Sequence, residues 1–280
     1  MVPCSPRSRF CHRMFEMDRR TVIQWASTSL ALGSTSLWAN PRVAPRAESP
    51  LVGTDPILIS TGLTSQWQSA MRQDLGWSAR WQAMETRVLL DQLEQGHVDA
   101  GLFLHHPRAD ELDKQGLIHS RQTIARTDVL IVGPEDDVAG IRGETDPGRA
   151  LRQIMAATAA GAAQWRPTEP GSALSALADR WTQGQIAKLP SVPATLGRAR
   201  PPAYRLITQA QWQKLPPKGE KLKVWMQGGP SMQLAVQVAC SFRVRHPGAK
   251  LLVSWLQWPL AQGVMKRAGA GWQPAATPKG

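Results

Sequence analysis

The clearest hydrophobic pattern in this chain is an unbroken aliphatic run over residues 129–132. A run of this length with β-branched members predicts a strand that is buried on both faces. The strand should end at Gly133-Pro134, because proline has no N–H to donate to a ladder and pushes the preceding residue out of the helical region. The acidic residues that follow turn at Gly140, which indicates that the chain passes there from one packed body into another.

Strand and helix patterns alternate before this run. The predicted elements are a strand over 57–62, a helix over 65–75 with Ser65 as its N-cap, a strand within 77–84, a helix from Thr86 to a stop at Gly96, and a strand over 98–104. Strands that alternate with helices in this way predict a parallel sheet covered by helices on both faces.

The second half of the chain continues the mixed pattern. Helices are predicted over 147–163, 173–182, 209–215, 248–258 and 260–268, with strands over 165–166, 204–208, 221–226 and 234–239. Residues 188–202 contain four prolines and predict an irregular connection. Because the strand over 234–239 should carry the chain back to the first body, we expect lobe one to comprise 51–128 and 234–280, with lobe two, 129–233, inserted.

The first 39 residues have the order of an export signal. Arg19-Arg20 precede an apolar stretch that ends in small residues at Ala39, and this stretch is too short and too polar for a membrane span. We expect Met17 to be the true start, cleavage near Ala39, and a flexible leader over 40–50. Both the twin-arginine and the general secretion routes fit, and either makes the protein periplasmic.

Composition narrows the function classes. The chain carries 33 basic and 21 acidic residues, a formal net charge of +12, and removal of the signal leaves about +9 because it takes five basic and two acidic residues with it. Such a balance attracts nucleic acid, anionic lipid or small oxyanions, and export argues against nucleic acid. The mature chain keeps only Cys240, which predicts a small buried hydrophobe rather than a disulfide.

The sequence contains no recognisable catalytic or metal motif. It has no GxSxG, HExxH or Walker loop, so we expect neither an enzyme nor a cofactor. The adjacent rings of His105-His106 point in different directions and make a poor chelate, which favours a surface loop. The tryptophans are scattered over predicted helices and strands, as is typical of core packing.

Residues 127–141, TDVLIVGPEDDVAGI, resemble the crossover strand of type II periplasmic solute-binding proteins. The resemblance is closest to the tungstate/molybdate-binding proteins of ABC importers, in which an I/V-V-G-P-x-D-D-P-A-G-I segment recurs; here Val138 replaces the usual proline. It covers residues 55–275 and implies an α/β, two-lobed periplasmic-binding-protein fold, each lobe a mixed, mostly parallel sheet flanked by helices. It also implies a monomer that closes its lobes on a small anion and delivers it to an ABC importer permease.

The resemblance implies ligand contacts at the carboxyl ends of strands, where loops and helix N-termini converge. The family has a Thr/Ser-rich run after its first strand, and this chain matches it with Thr61, Thr64 and Ser65 but places Gly62-Leu63 within the run. These hydroxyl groups are equally suited to capping a helix.

The remaining implied contacts lie at two further helix starts. Thr86 matches the threonine of a family V-G-T-G loop, although Glu85 and Arg87 replace both glycines. Arg166 falls on the family's anion-binding arginine, whose planar guanidinium suits two oxygens of one anion, and Ser172 falls on its helix-opening threonine. A surface ion pair is the alternative for Arg166.

Two functional hypotheses follow. The first is capture of a tetrahedral oxyanion such as tungstate or molybdate, or of a small carboxylate that would still use Arg166. The second is a sensor or interaction module on the same scaffold with a degenerate pocket, which the lost glycines favour.

For Arg126 and Asp128, before the crossover strand, we expect a solvated strand start.

Overall fold

The computed structural model describes residues 49–189, 203–215, 221–244, 246–268 and 271–275. The predicted export signal, nearly all of the predicted leader and most of the proline-rich connection over 188–202 lie outside these ranges. Within the described ranges, no helix is both long enough and apolar enough to span a bilayer.

The strands come from both ends of the chain. Within the described residues they are β1 (Leu51–Thr54), β2 (Arg80–Ala83), β3 (Ala100–Leu104), β4 (Ile118–Pro134), β5 (Gln164–Trp165), β6 (Ala203–Thr208), β7 (Leu222–Met226), β8 (Gln233–Ser241) and β9 (Trp272–Pro274).

Helices connect and cover these strands. Over the same ranges they are α1 (Pro56–Ser60), α2 (Leu63–Leu75), α3 (Thr86–Gln95), α4 (Pro107–Lys114), α5 (Pro147–Ala159), α6 (Ala173–Thr182), α7 (Gln209–Trp212), α8 (Pro247–Trp255) and α9 (Pro259–Ala268), with short 3₁₀ turns at Ile186–Lys188 and Pro230–Met232.

The strands form a mixed sheet in the order β2-β1-β3-β8-β4-β6-β5, with β7 and β9 also paired to β4. Strand β1 is parallel to β2 and β3, and β5 is parallel to β6, whereas β4 is antiparallel to each of its neighbours β6, β7, β8 and β9. The α/β architecture with flanking helices is thus confirmed. The parallel strands predicted from the strand–helix alternation are those at the start of the chain.

Strand β4 is the long crossover element. Its first part, to Asp128, pairs with β8 and β9, and its second part, from Val129, pairs with β6 and β7. Residues 129–132 are fully buried, as the aliphatic run predicted, and the strand ends at Pro134. The described residues pack as one compact unit, and the lobe boundaries at 128/129 and 233/234 stay a prediction.

The strand predicted over 57–62 was wrong. The first strand is β1, and the residues after it form helix α1, because Asp55 accepts the Ile57 N–H at 2.8 Å and Pro56 occupies the first helical turn. This cap and the preset φ of proline favour a helix start, and they outweigh the strand preference of the two isoleucines.

The predicted N-cap at Ser65 was also wrong. Helix α2 begins at Leu63, and the residue before it is Gly62 in the left-handed region at φ 81°. The start of α2 was misplaced because it has no side-chain cap. The helix begins after Gly62, whose lack of a Cβ allows the left-handed backbone conformation that separates α1 from α2. Three other helices end three or four residues earlier than predicted: α5 at Ala159, α7 at Trp212 and α8 at Trp255.

Two paired glycines let α3 approach the sheet closely. Gly53 of β1 lies opposite Gly101 of β3, and Leu89 of α3 fills the space where their side chains would be. A Cβ on Gly101 would lie 2.5 Å from Leu89 Cδ2 and 2.8 Å from Leu93 Cδ1. This close packing fixes the N-terminus of α3 at the carboxyl ends of these strands.

We predict that Gly101→Ala lowers the free energy of unfolding by about 1–3 kcal/mol, because the added methyl group overpacks the buried contact with α3. Gly263→Ala is the matched control: Gly263 lies inside α9, where a Cβ would meet only the Arg267 guanidinium at 3.5 Å. The control should be neutral or stabilising by about 0.5–1 kcal/mol. Urea unfolding measures both, and equal stabilities of the two variants would contradict the packing argument.

Candidate functional site

Three parallel strands end at one edge of the sheet. Strands β1, β2 and β3 are followed by Asp55, Glu85 and His105, so these side chains belong to one edge. In open α/β sheets this edge is where ligands collect. A fourth segment, the loop before α6, reaches the same place, because the Arg87 N–H donates to the Gly171 carbonyl at 3.0 Å.

Asp55 is the central buried group. It is 1% exposed, and its two oxygens accept from the Ile57 N–H at 2.8 Å and from Thr86 Oγ1 at 2.5 Å. Burial raises the pKa of Asp55, and the hydrogen bonds from Thr86 and Ile57 partly offset this by favouring the charged form. The carboxylate thereby joins the end of β1 to the starts of α1 and α3.

Glu85 lies half-buried directly before α3 and adds negative charge. Burial raises the pKa of Glu85, and the nearby carboxyl groups of Asp55 and Glu169 raise it further. These three acids therefore share one electrostatic environment. The negative charge of these carboxyl groups opposes the binding of a dianion and favours a ligand that carries hydrogen-bond donors.

The contact between α3 and the loop before α6 is close. Gly171 has a φ of +79°, and a Cβ there would lie 2.9 Å from Arg87 Cβ. The Arg87 side chain is exposed and lies 3.7 Å from Asp91 along the helix. At Arg87, therefore, a protein carbonyl already accepts the first-turn N–H that an anion would take at a helix N-terminus.

The first three predicted ligand residues donate or pack within their own segment. Thr61 is buried, and its hydroxyl donates to the Ile57 carbonyl at 2.7 Å. Ser65 is exposed and donates to the Gly62 carbonyl at 2.8 Å, while Thr64 is buried in the first turn of α2. The Thr61 and Ser65 hydroxyls thus donate to backbone carbonyls, and the N-cap of α2 is Gly62 and neither of them; their roles in ligand binding stay predictions.

Thr86 and Ser172 come together through the Arg87–Gly171 contact. Both open a helix: Thr86 is the first residue of α3, and Ser172 is the N-cap of α6, where its Oγ accepts the Ser175 N–H at 3.1 Å. The Thr86 hydroxyl donates its proton to Asp55, and the Ser172 oxygen accepts at the start of its own helix. The roles of both residues in ligand binding stay predictions.

Arg166 follows the short strand β5. It is half-buried, and its backbone N–H donates to the Tyr204 carbonyl at 2.9 Å, which continues the pairing of β5 with β6. Arg166 also takes part in a further interaction within the protein. Its assignment as the anion-binding arginine stays a prediction.

Sequence reasoning missed Asp55 and Glu169 as members of this site. An Asp-Pro pair directly after a buried strand is the signal that could have found Asp55, because it marks a helix start at a strand's carboxyl end.

His106 was predicted in a surface loop and is instead 9% exposed, as the N-cap of α4. Burial lowers the pKa of His106, and Arg87 and then His105 lower it further. Among the described residues, no group of three or more His, Cys, Asp or Glu is placed to hold a metal ion.

No protein-family model matches the chain, and no curated protein does. Solved structures do match its fold. A periplasmic protein provisionally described as metal-binding aligns with a TM-score of 0.68 at 18% identity, over 82% of this chain and 97% of the other. The tungstate-binding protein TupA of Desulfovibrio alaskensis G20 gives 0.63 at 21% identity, over 82% and 99%.

A third match is the tungstate ABC transporter structure from Geobacter sulfurreducens, with a TM-score of 0.60 at 18% identity, over 79% of this chain and 98% of the other. These likenesses show the fold: the chain has the two-lobed, type II periplasmic-binding-protein fold that the segment over 127–141 predicted. At these identities they leave the ligand open.

We predict that Thr86→Val destabilises the protein by about 1–3 kcal/mol at neutral pH, because the buried Asp55 carboxylate loses a hydrogen-bond donor. The loss should shrink in acid, where Asp55 is protonated and no longer carries the buried charge. Thr123→Val, a half-buried threonine within β4, is the control and should be close to neutral. Thermal unfolding at neutral and acidic pH separates the two, and a pH-independent loss would argue against the Asp55 contact.

We also predict that Glu85→Gln raises the melting temperature at neutral pH by about 1–2 °C. The pKa of Glu85 is raised in the folded protein, so folding disfavours its charged form. This penalty is present above the folded pKa and vanishes below the ordinary pKa of a glutamate. Glu135→Gln, a change on an exposed turn, should leave the melting temperature unchanged. A gain that persists unchanged at pH 3–4 would contradict this assignment.

Proposed function

We propose that this chain is an exported solute-binding protein that captures a small solute in the periplasm and delivers it, as a monomer, to the permease of an ABC importer. The observation that carries the proposal is the convergence of the loops after β1 and β2 with the loop before α6, joined by the Arg87–Gly171 hydrogen bond. A site made from segments so far apart in the chain assembles or opens as those segments move.

The Arg87–Gly171 contact suggests how a solute would enter. A direct N–H to carbonyl bond closes the gap between α3 and the inserted region, and a bound solute would replace it with its own acceptor and donor groups. Since each open backbone group must regain a partner, the solute has to supply hydrogen bonds on both sides. Binding would then favour the closed arrangement by differential affinity.

Tungstate and molybdate are the first ligands to test. The basic overall charge and Arg166 support an oxyanion, and so do the tungstate-binding neighbours. The local charges oppose it, because Asp55, Glu85 and Glu169 influence one another at the same edge. Two unit charges about 4 Å apart interact by about 1 kcal/mol in water and about 4 kcal/mol near a protein surface.

A second candidate function is favoured by these same carboxylates. With Glu85 before α3 and the Thr61, Ser65 and Thr86 hydroxyls donating within the protein, the scaffold would serve as a sensor or interaction module that binds no oxyanion. A small carboxylate held by Arg166 is a further ligand for the same test.

Isothermal titration of the full chain with tungstate, molybdate, sulfate, phosphate and acetate tests the proposal. We expect at least one anion to bind, with Glu85→Gln tightening it about five- to tenfold by removing a repulsive charge. Arg166→Ala should weaken the same ligand about tenfold or more, because charge-assisted hydrogen bonds are lost. Glu135→Gln is the control and should bind as the parent does.

Each outcome of the titration has a meaning. Absence of heat with all five anions, for the parent and for Glu85→Gln alike, would overturn the anion assignment and support the sensor or interaction module. Unchanged affinity in Arg166→Ala would remove that residue from the site. Tight tungstate binding that Glu85→Gln does not alter would show that this carboxylate lies outside the reach of the anion.

A further inference from the structure

The positive charge of this chain is concentrated in its last sixty residues. Residues 221–280 contain eight lysines and arginines and neither aspartate nor glutamate. The other 220 residues carry 25 basic and 21 acidic residues, a net charge of +4 against +8 for the last sixty. An asymmetry of this kind favours contact with a polyanionic partner, because no carboxylate of the segment itself compensates its cations.

Helices α8 and α9 lie in this segment, and the turn between them exposes large apolar side chains. Eight large hydrophobic side chains are exposed among the described residues, and three of them fall between 251 and 260. They are Leu251, Trp258 and Leu260, at 41%, 45% and 43% exposed. Residues 257–260 are exposed in succession, which indicates a corner that projects from the surface and not a groove.

On α8, a cation shares the outer side with these apolar groups. Lys250 and Leu251 are both exposed. Trp258 follows Leu251 by seven residues, which is two helical turns. The helical path continues past the end of α8, because the Trp258 N–H donates to the Trp255 carbonyl at 2.9 Å. The Leu251 and Trp258 side chains therefore belong to one side of this segment.

On α9, Leu260 and Arg267 are likewise seven residues apart, about 10 Å along one side of the helix. The Arg267 guanidinium lies along this side, because a Cβ on Gly263, between the two, would be 3.5 Å from it. Lys266 is exposed next to Arg267. We define the α8–α9 face by its exposed cations and large apolar side chains: Lys250, Leu251, Trp258, Leu260, Lys266 and Arg267.

The inner sides of the helices hold this face in place. Ala261 and Met265 are buried, and the Trp67 indole N–H donates to the Ala261 carbonyl at 3.3 Å. Within the turn, the Gln262 side-chain amide donates to the Leu256 carbonyl at 2.8 Å. The exposed apolar side chains are thus presented by a corner that is packed against the core.

The three cations of the α8–α9 face have no carboxylate partner within the described ranges. Neither Lys250, Lys266 nor Arg267 forms a salt bridge with a described residue. Asp74 contacts α8, where its carboxylate accepts the Trp255 indole N–H at 2.7 Å. With three cations against this one acid, the face is positively charged and open to an external anion.

The combination of charge and projecting apolar groups distinguishes between polyanions. A nucleic acid pairs with cations but offers projecting leucines no apolar medium. An acidic protein would need an apolar hollow that matches a convex corner. A bilayer meets both requirements, because its interface accepts tryptophan and leucine side chains while anionic headgroups attract nearby lysine and arginine.

We propose that the α8–α9 face binds peripherally to an anionic lipid surface. Trp258 and Leu260 enter the interface at the projecting corner, Leu251 adds apolar contact, and the cations of the two helices lie at the headgroup phosphates. The proposal is independent of the anion site, with which this face shares no residue.

Co-sedimentation of the full chain with vesicles tests it, at about 0.1 M salt. We expect binding to vesicles of phosphatidylglycerol and phosphatidylcholine in equal parts, and at least tenfold weaker binding to phosphatidylcholine alone. The double variant Trp258→Ser, Leu260→Ser should weaken binding about tenfold or more, because it removes the apolar groups that enter the interface. Lys266→Gln with Arg267→Gln should weaken it about 10- to 30-fold, since each cation near an anionic surface contributes about fivefold.

Val88→Ser and Lys114→Gln are the matched controls, an exposed apolar residue on α3 and an exposed cation on α4, and both should bind as the parent does. Every exchanged side chain is exposed, so the variants should keep the parent's melting temperature. Residues 1–39 are common to all variants, so differences between variants report the α8–α9 face.

Three results would overturn the proposal. The first is absence of binding to the anionic vesicles. The second is equal binding to both kinds of vesicle, which would remove the role of the cations. The third is parental affinity in the Trp258→Ser, Leu260→Ser variant while the Lys266→Gln, Arg267→Gln variant loses binding, which would indicate a face that meets an acidic macromolecule through charge alone.

Discussion

The carboxylate of Asp55 is the interaction on which the arrangement of this edge depends. It is held below the surface by the Ile57 N–H and the Thr86 hydroxyl, and so it couples the end of one strand to the starts of two helices. Burial without these donors would cost several kcal/mol. Because α3 is bound in this way at its first residue, its next N–H faces Gly171, and the loop before α6 is joined to the end of the first strands.

That arrangement has a consequence for ligand binding. A helix N-terminus attracts anions through unpaired N–H groups and the helix dipole. Here the Arg87 N–H is satisfied by a carbonyl, and Glu85, the residue before the first residue of α3, is an acid, so both sources of attraction are weakened. A solute must compete with existing protein bonds, and the net gain is the difference between the two sets. The fold therefore supplies the position of a site, while these residues set the sign of the charge that it prefers.

The sequence could predict the elements with strong local patterns and few of the contacts between them. The run over 129–132 is buried on both faces, and α6 has the bounds that its apolar spacing predicted. Helix α1 was missed because an Asp-Pro cap outweighs the strand preference of isoleucine. The first half of β4 was missed because it is polar and irregular, with Ser120 at φ 55° and shifts in register. The contact of Gly171 with Arg87 had no local signal, since the two are far apart in the chain.

A polar pocket lies beside the hydrophobic half of β4, with Asp128, Gln209 and Trp272 among its lining residues. Every neighbour of β4 is antiparallel to it, and its partners change after Asp128, so ladder pairing on both sides must end or begin there. At such a change of partners the side chains have no continuous sheet to pack on, and Asp128 Oδ1 and Trp272 Nε1 have no hydrogen-bond partner among the described residues. The aliphatic residues directly after Asp128, over 129–132, are fully buried in the hydrophobic core. The pocket therefore lies next to the point at which β4 passes from one set of partner strands to the other.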